Sequence, residues 1–333
     1  MKEKKSKILD RETLKYLGKV ALITLLIVFV LRGFFFELYT ISTSQMESAL
    51  IKGDEVLVSK LSYGPRLPIT ALTIPFTHDR FWGVKSYSDL IQFPYMRLFG
   101  SDILRNDVVL FNSPLEREKP VDKRELLISR CVGIPGDTIK IEDGIYYIND
   151  EQYVQSPTLL NEYVAPAASS DGIIKLVNEL RLDVRQYHLS GDSLFFTLNR
   201  YDAFILSKYT SPDTFYRKEK VMPETLRFIV PSKGRGVILS PNIAKTYRQI
   251  IEYEQGEKAV FQDDEVFIDN QKIDRYYFSD DYYWMLSDNT VDAKDSRELG
   301  FIPFRNVVGR VAMVLYSKGE TGLRADRFLM PVQ

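Results

Sequence analysis

The stretch KRELLISRCVGIPGDTIKI, residues Lys123–Ile141, contains two apolar segments on either side of the turn G-I-P-G-D. Leu126–Cys131 and Thr138–Ile141 have the length and composition of strands, and the glycines and proline between them favour a chain reversal. The pattern continues in both directions, at Asp54–Lys60, Asp107–Asn112, Ile145–Ile148 and Val307–Tyr316. Many short strands separated by Gly/Pro turns predict a mostly β domain, either a sandwich or a barrel.

The middle of the chain departs from this pattern. Gly172–Val184 and Ile243–Tyr253 have the apolar spacing of helices, and Leu194–Ser207 is rich in Phe, Leu and Tyr. We therefore predict an α+β domain, residues 151–275, inserted into a β core formed by residues 37–150 and 276–333.

The N-terminal part carries a basic tail followed by one apolar run. Residues 2–19 hold seven basic and three acidic side chains, and Val20–Leu31 is interrupted only by Thr24. Residues 17–36 form a segment of about 30 Å as a helix, which is enough to cross a bilayer. The basic excess predicts that the tail, residues 1–16, stays in the cytoplasm and that the bulk of the chain lies outside it.

Two other interpretations of the apolar run remain open. A cleavable signal peptide needs small residues just after the apolar run, where Ser42 and Ser44 offer a site. Bulky Phe34, Phe35 and Phe36 occupy the nearer positions, so we favour an uncleaved anchor. A buried core helix is the second alternative, and the basic flank fits an anchor better.

Composition excludes several classes of protein. The 333 residues are 45% apolar and 27% charged, which is typical of a folded globular chain. The 44 basic and 45 acidic residues give a net charge of −1, so no overall basic field attracts nucleic acid. One cysteine and two histidines exclude an internal disulfide framework and a Cys-based zinc site. We expect no metal and no cofactor.

Generic catalytic motifs are absent from the sequence. There is no G-x-S-x-G, no Ser-x-x-Lys, no P-loop and no G-x-G-x-x-G. The loop Asp288–Asp295 resembles a calcium loop only in its acidic residues, because it lacks the turn glycine and the closing Glu. We interpret His78 and His188 as structural, and Cys131 as a buried, inert thiol.

Four strings, taken together and in this order behind an N-terminal anchor, resemble the bacterial type I signal peptidases. They are ISTSQMESALIKGDEVLVSKLSYGPRLP (Ile41–Pro68), LRNDVVLF (Leu104–Phe111), KRELLISRCVGIPGDTIKI (Lys123–Ile141) and YYWMLSDNTVDAKDSRELGFIPFRNVVGRV (Tyr282–Val311). The resemblance covers the anchor and essentially the whole outer part, and it implies residence in the bacterial inner membrane. The G-P-R-L-P string and the pattern VPSKG…NIAKTY…IIEYEQG within the insertion are similar to one branch of the family.

The resemblance implies a known chemistry. Members of the family cut signal peptides from exported proteins at the outer membrane face, with a serine nucleophile and a neutral lysine as general base. Burial lowers the pKa of such a lysine, so it can accept the proton of the serine. A backbone N–H and a nearby hydroxyl form the oxyanion hole. The active-site groove lies close to the membrane, among exposed apolar residues.

The three residues that should carry this chemistry are replaced. Aligned on Met46 and the pair Gly53-Asp54, the nucleophile position is Gln45. The lysine position, directly before the arginine of R-x-V-G-x-P-G-D, is Ser129. The serine that normally orients the lysine is Ala293. In serine proteases the loss of nucleophile or base costs roughly 10⁶ in turnover, so we predict a catalytically inactive member of the family.

Other family positions do match, and they form the remnants of the groove and oxyanion hole. They are Thr43, Met46, Arg130, Asp288, Asp295 and Arg297. A groove without catalytic groups can still bind an extended peptide by strand addition. We therefore predict a non-catalytic subunit at the protein export machinery that binds signal peptides or nascent exported proteins. Its expected partners are a Sec-type translocon, an active signal peptidase and membrane lipid, but not nucleic acid.

An active signal peptidase with a displaced nucleophile is the alternative. Ser44 neighbours the lost nucleophile and Lys294 follows Ala293. In an extended strand Ser44 would face away from the groove, and an exposed lysine is almost fully protonated at neutral pH. A third interpretation is a chain that neither binds peptide nor cuts it.

Overall fold

The computed structural model describes residues 11–74, 77–142, 144–211, 215–218, 225–262, 265–291, 293–319 and 322–332. The first ten residues of the predicted basic tail lie outside the described residues. The structure is mostly β with one N-terminal apolar helix, as the sequence predicts. Its α-helices are α1 Arg11–Val30, α2 Ser170–Glu179, α3 Arg200–Ser207, α4 Pro241–Gln255 and α5 Ser296–Leu299.

The strands are short, and among the described residues only β24 is longer than eight residues. In chain order they are β1 Phe36–Thr40, β2 Asp54–Ser59, β3 Thr70–Thr73, β4 Arg80–Phe81, β5 Val84–Lys85, β6 Tyr87–Gln92, β7 Val108–Asn112, β8 Leu126–Gly133, β9 Thr138–Glu142, β10 Ile145–Ile148, β11 Glu151–Gln152, β12 Leu160–Pro166, β13 Gln186–Ser190, β14 Ser193–Asn199, β15 Tyr216–Arg217, β16 Leu226–Ile229, β17 Gly236–Ile238, β18 Ala259–Gln262, β19 Glu265–Ile268, β20 Gln271–Ile273, β21 Arg275–Tyr277, β22 Tyr282–Leu286, β23 Ile302–Pro303, β24 Val307–Gly319, β25 Gly322–Leu323 and β26 Met330–Pro331.

The largest sheet is antiparallel and has the order β1-β2-β24-β7-β8-β22-β23, with β25 and β26 also on β24. Strand β7 is buried on both faces. Val108 and Leu110 enter one apolar cluster, while Val109 and Phe111 enter another. The apolar run D-V-V-L-F-N therefore shows no alternation, because neither face of this strand meets water.

Every strand segment and helix predicted from the sequence overlaps an element of the predicted type. Strand β8, at the heart of the Lys123–Ile141 stretch, joins β7 on one side and β22 on the other. The turn that follows it leads into β9, which opens a second sheet with the order β11-β10-β9-β16.

Residues 151–275 contribute to more than one apolar cluster. Strands β12, β13, β14 and β15 form a sheet that packs with α2 and α3 around its own core, which includes Phe196 and Leu206. Helix α4 instead joins a cluster with Ile139 and Trp284. Strand β16 pairs with β9, so one sheet extends across the predicted boundary at residue 150.

The junction between α1 and the large sheet contains no loop. Residues Leu31–Phe35 form a π-helical turn, and β1 begins at the next residue, Phe36. Lys60 binds this turn through its backbone N–H to the Phe35 carbonyl (2.9 Å) and through its ammonium to the Arg32 carbonyl (2.8 Å). The same ammonium pairs with Glu37 at 2.6 Å.

The local structure explains the residue types of the pair Gly53-Asp54, on which the motif alignment rests. Gly53 has φ +94°, and a Cβ there would lie 2.0 Å from the Lys318 carbonyl oxygen, so only glycine fits. Asp54 is fully buried and accepts from the Arg327 guanidinium and from the Ile51 backbone N–H. This corner fixes the start of β2 and therefore the chain that leads into it.

Candidate functional site

The segment that carries Gln45 is a turn. Strand β1 ends at Thr40, and backbone hydrogen bonds from Glu47 to Ser44 (3.1 Å) and from Leu50 to Met46 (2.6 Å) curl the chain. The expectation that Ser44 faces away rested on an extended strand, so its premise is wrong. Three backbone bonds form this turn, the third from Ala49 to Met46, and none of the strands that the structure describes pairs with these residues.

Gln45 is buried, with 6% of its surface exposed. Its backbone carbonyl accepts a hydrogen bond from the Asn289 backbone N–H at 2.9 Å. The Asn289 side-chain amide donates to the Ser44 carbonyl at 3.1 Å. Two successive carbonyls of the turn are thus held by one residue of the last motif, which brings these two distant parts of the sequence together.

Ser129, at the position of the general base, is fully buried in the middle of β8. Its hydroxyl lies 3.5 Å from the Ser287 hydroxyl, and neither oxygen has the basicity to accept the proton of a nucleophile. The backbone N–H of Ser287 donates to Asp295 at 2.7 Å. The base position and the Asp295 segment therefore remain neighbours, although the lysine that would join them is missing.

Asp288 and Arg130 form a bidentate ion pair. The Arg130 Nε and Nη2 atoms lie 2.9 and 2.6 Å from the two carboxylate oxygens, and Ser48 also donates to Asp288 at 3.1 Å. Burial alone would lower the pKa of Arg130, but the hydrogen bonds to Asp288 outweigh it and the pKa is raised. The Asp288 backbone N–H lies 3.4 Å from the Met46 sulfur, so three of the predicted remnants meet here.

Asp295 and Arg297 form a second pair, with distances of 2.9 and 2.6 Å. Asp295 also caps α5 by accepting from the Arg297 backbone N–H. Ala293 precedes this pair, is partly buried and offers no polar atom. Lys294, the alternative base, pairs with Glu125 in a half-exposed position. Its ammonium is thus engaged by a carboxylate.

A small, partly open cleft lies beside Gln45. Its walls come from the end of β1, the turn and the start of β8: Tyr39, Ile41, Thr43, Gln45, Met46, Leu126 and Ile128. Thr43 is exposed at this cleft, and its place at the oxyanion hole stays a prediction.

Two residues of this region, Tyr39 in the cleft and Ser287 beside Ser129, were not found from the sequence. The Tyr39 hydroxyl donates to the Leu126 carbonyl at 3.2 Å and so bridges β1 and β8. Burial and the nearby Glu125 raise the pKa of Tyr39, so the hydroxyl keeps its proton. Ser287 was seen only as a departure from the usual glycine. The residues next to Tyr39 and Ser287 in the sequence do not predict their contacts, because the contact partners lie far away in the chain.

The insertion also contacts this region. The Leu160 backbone N–H donates to the Asp288 carbonyl at 2.9 Å, and the Thr290 backbone N–H donates to the Leu160 carbonyl at 3.0 Å. The start of β12 thus runs parallel to the last motif as a single β-bridge. Asp288 and its neighbours lie between this bridge and the turn that carries Gln45.

The remaining polar candidates have structural surroundings. His78 is partly buried, with Nε2 2.8 Å from the Arg124 carbonyl oxygen, and His188 is exposed and stacks on Phe195. Cys131 is buried, and burial raises the pKa of its thiol. Within the described ranges, no group of three or more His, Cys, Asp or Glu side chains is arranged to hold a metal ion.

An apolar N-terminal helix, long enough to cross a membrane, leads directly into a mostly β domain with a small cleft beside Gln45. The family model described as signal peptidase, peptidase S26, matches residues 14–316. The chain belongs to this family, as its motifs predict.

Relatives named signal peptidase I are similar to the chain over most of its length. The protein from Buchnera aphidicola (subspecies Acyrthosiphon pisum) is 23% identical over 321 residues, which cover 91% of this chain and 77% of the relative. The Rickettsia prowazekii protein is 23% identical over 293 residues, 87% of this chain and 76% of the relative. The Pseudomonas aeruginosa protein is 26% identical over 228 residues, 65% and 68% of the two chains.

Proposed function

We propose that this chain is a non-catalytic member of the signal peptidase family that binds signal peptides as a subunit of the export machinery. One observation carries the proposal. The nucleophile position holds a buried amide, Gln45, and the base position holds a buried hydroxyl, Ser129, whose neighbour is another hydroxyl. An amide does not attack a peptide carbonyl. A neutral hydroxyl is too weak a base to activate a nucleophile that could attack it.

Preservation of the surrounding scaffold supports binding rather than decay of the whole site. The ion pairs Arg130–Asp288 and Asp295–Arg297 are formed, and a small cleft opens beside Gln45. The relatives named signal peptidase I support signal peptides as the class of ligand. An extended peptide can lie in such a cleft by adding backbone hydrogen bonds to a strand edge.

The absence of cleavage is tested with the purified full-length chain and a synthetic signal-peptide substrate. We expect no cleavage above the uncatalysed background. The triple variant Gln45→Ser, Ser129→Lys, Ala293→Ser should cut the substrate, because nucleophile, base and orienting hydroxyl return together. Each single reversion should stay inactive, since a serine without a base is not activated.

A displaced nucleophile gives the opposite pattern. Robust cleavage by the unmodified chain that is abolished by Ser44→Ala would refute the non-catalytic proposal and establish an active signal peptidase with Ser44 as nucleophile. The matched control is Ser42→Ala, which removes an exposed hydroxyl two residues away and should leave that cleavage unchanged.

The subunit role is tested by affinity purification from membranes in mild detergent. We expect the anchored chain to co-purify with translocon components or with a signal peptidase that has an intact Ser/Lys pair. The proposed location is the bacterial inner membrane, with the N-terminus in the cytoplasm and the β domain on the outer side. Recovery of the chain alone in several detergents would contradict the subunit role.

A further inference from the structure

Residues 64–74 and 77–99 belong to a long arm that leaves the large sheet between β2 and β7. Strands β3 and β6 pair along this arm, and β4 and β5 pair near its tip. Two aromatic residues of the arm, Trp82 and Phe99, are each 92% exposed and have φ angles of +49° and +57°. This backbone region is unfavourable for bulky side chains. The chain therefore accepts a local cost at two positions where an aromatic ring points away from the protein.

The arm begins and ends close to the end of α1. Lys60, which binds two backbone carbonyls of the turn after α1, comes four residues before Gly64. A Cβ at Gly64 would lie 2.4 Å from the Leu98 carbonyl oxygen, so the outgoing and returning chains touch each other there. Phe99 follows Leu98 directly, which places this exposed ring near the end of the candidate membrane span.

The tip of the arm is also within reach of this end of the molecule. Burial lowers the pKa of His78 and of Lys123, and the charge of Glu37 opposes the shift in both, so the second residue of β1 lies near the arm. Trp82 follows His78 by four residues, which span at most about 13 Å of extended chain. The Trp82 ring stacks on Phe81, with centroids 5.2 Å apart.

A lipid bilayer fits this surface better than a protein partner does. Aromatic rings flanked by basic side chains are typical of segments that lie in the headgroup region. The exposed residues Arg80 and Lys85 flank the Phe81–Trp82 pair, and Leu90 on β6 is 88% exposed. A bilayer crossed by α1 is already next to the start of the arm, whereas a protein partner would have to be recruited.

We propose that the arm is a second membrane contact, with Trp82 and Phe99 in the headgroup region of the bilayer that α1 spans. A single helix leaves a domain free to tilt about the point where the helix ends. A second contact, some distance along the surface, fixes the tilt of the β domain. This inference is independent of the proposed function, since it requires α1 in the membrane but no peptide in the cleft.

The two tryptophans of the chain allow a direct test, because Trp82 is exposed and Trp284 is buried. The full-length variant Trp284→Phe is placed in nanodiscs of phosphatidylcholine and phosphatidylglycerol, so that Trp82 is its one tryptophan. We expect loss of its emission when the lipids carry bromine near the headgroup end of the acyl chains, and little quenching by aqueous iodide. In the control Trp82→Phe, the buried Trp284 should respond to neither quencher. The unmodified chain gives the same comparison without a substitution in the core.

Phe99 is tested by Phe99→Trp in a chain in which both native tryptophans are replaced by phenylalanine. Its emission should behave like that of Trp82. The matched control in the same background is Tyr187→Trp, at an exposed position of β13, which iodide should quench and brominated lipid should not. Equal thermal unfolding temperatures show that the variants are folded. Quenching by iodide but not by brominated lipid at position 82 or 99 would overturn the proposal, and it would leave the proposed function untouched.

Discussion

Asp288 shows how one residue holds several segments around the candidate site together. Its carboxylate binds Arg130 and Ser48, its N–H faces the sulfur of Met46, and its carbonyl accepts from Leu160. None of these contacts involves the nucleophile or base positions. These contacts therefore do not depend on which side chains occupy positions 45 and 129.

His78 makes the stability of the fold depend on pH. Burial lowers the pKa of this imidazole below its ordinary value of 6.5, although the hydrogen bond to the Arg124 carbonyl opposes the shift. The unfolded chain therefore binds a proton more readily than the folded chain. The stabilisation is present above about pH 6.5 and is lost as the pH falls towards the folded pKa. Urea denaturation at about pH 7.5 and 5.5 should show a lower free energy of unfolding at the acidic pH.

The variant His78→Gln keeps a donor for the Arg124 carbonyl and removes the titrating group. We expect it to reduce the loss of stability between the two pH values. The matched control is His188→Gln, at an exposed position, which should retain the full pH dependence. An unchanged pH dependence in His78→Gln would contradict the assignment to this residue.

At the residue scale, the sequence predicts the site residues that lie within a motif. It does not predict contacts between residues that are far apart in the sequence. Gln45, Ser129 and Ala293 are found because each occupies a numbered place in a motif. Arg130 and Asp288 are found for the same reason, although only the structure shows them as an ion pair. The Tyr39–Leu126 bridge joins residues 87 positions apart, and the turn at Ser44 depends on Asn289, so neither leaves a local signal.

At the scale of elements, α4 holds the second sheet to the rest of the molecule. Its apolar face carries Ile250 and Ile251, and Tyr247 donates its hydroxyl to the Ile229 carbonyl at 2.7 Å on β16. The alternation of apolar residues at helical spacing predicts the helix itself. The strand that it supports cannot be predicted in this way, because β16 pairs with β9 across a long separation in sequence.

Truncation of this face should destabilise the fold. Ile251 is fully buried, so Ile251→Ala removes three carbons from a packed cluster and should lower the free energy of unfolding by about 2–5 kcal/mol. The control Thr246→Ala changes an exposed residue of the same helix and should alter it by about 0.5 kcal/mol or less. Urea denaturation of both variants measures the difference. Similar small effects in both would show that α4 does not pack as described.

The division into a β core and an insertion of residues 151–275 stays a prediction. The part around β12–β15, α2 and α3 has a cluster of its own, as an inserted domain should. The part around β16 and α4 shares a cluster with Tyr282 and Trp284, which the prediction places in the core. Composition and periodicity reveal the change of pattern near residue 150, but sheet pairing determines which strands share a core.

At the scale of the whole molecule, the basic flank and the apolar helix α1 predict a membrane topology. α1 and the turn after it are long and apolar enough to cross a membrane. With an epitope tag at the C-terminus, protease added to intact spheroplasts should digest the chain beyond about residue 37 and destroy the tag. The N-terminal tail should be spared, since the basic excess keeps it inside.

Two outcomes of the protease experiment would contradict this topology. A protected C-terminal tag would place the β domain in the cytoplasm. A purified chain that begins near Gln45 would show that the apolar segment is a cleaved signal peptide. Lysed spheroplasts serve as the control, because the tail and the tag should both be accessible there.

Because no loop separates α1 from β1 at Phe35 and Phe36, the distance between the end of α1 and the cleft is restricted. With α1 in the bilayer, β1 rises directly from its end, and five residues at about 3.3 Å each place Ile41 roughly 17 Å along the strand. Lys60 binds the residues at the start of this strand, which restricts the distance between the end of α1 and Ile41. Under the proposed function, a peptide in the cleft would lie at one distance from the end of α1, and the spacing from the peptide's own membrane segment would decide which of its residues lies there.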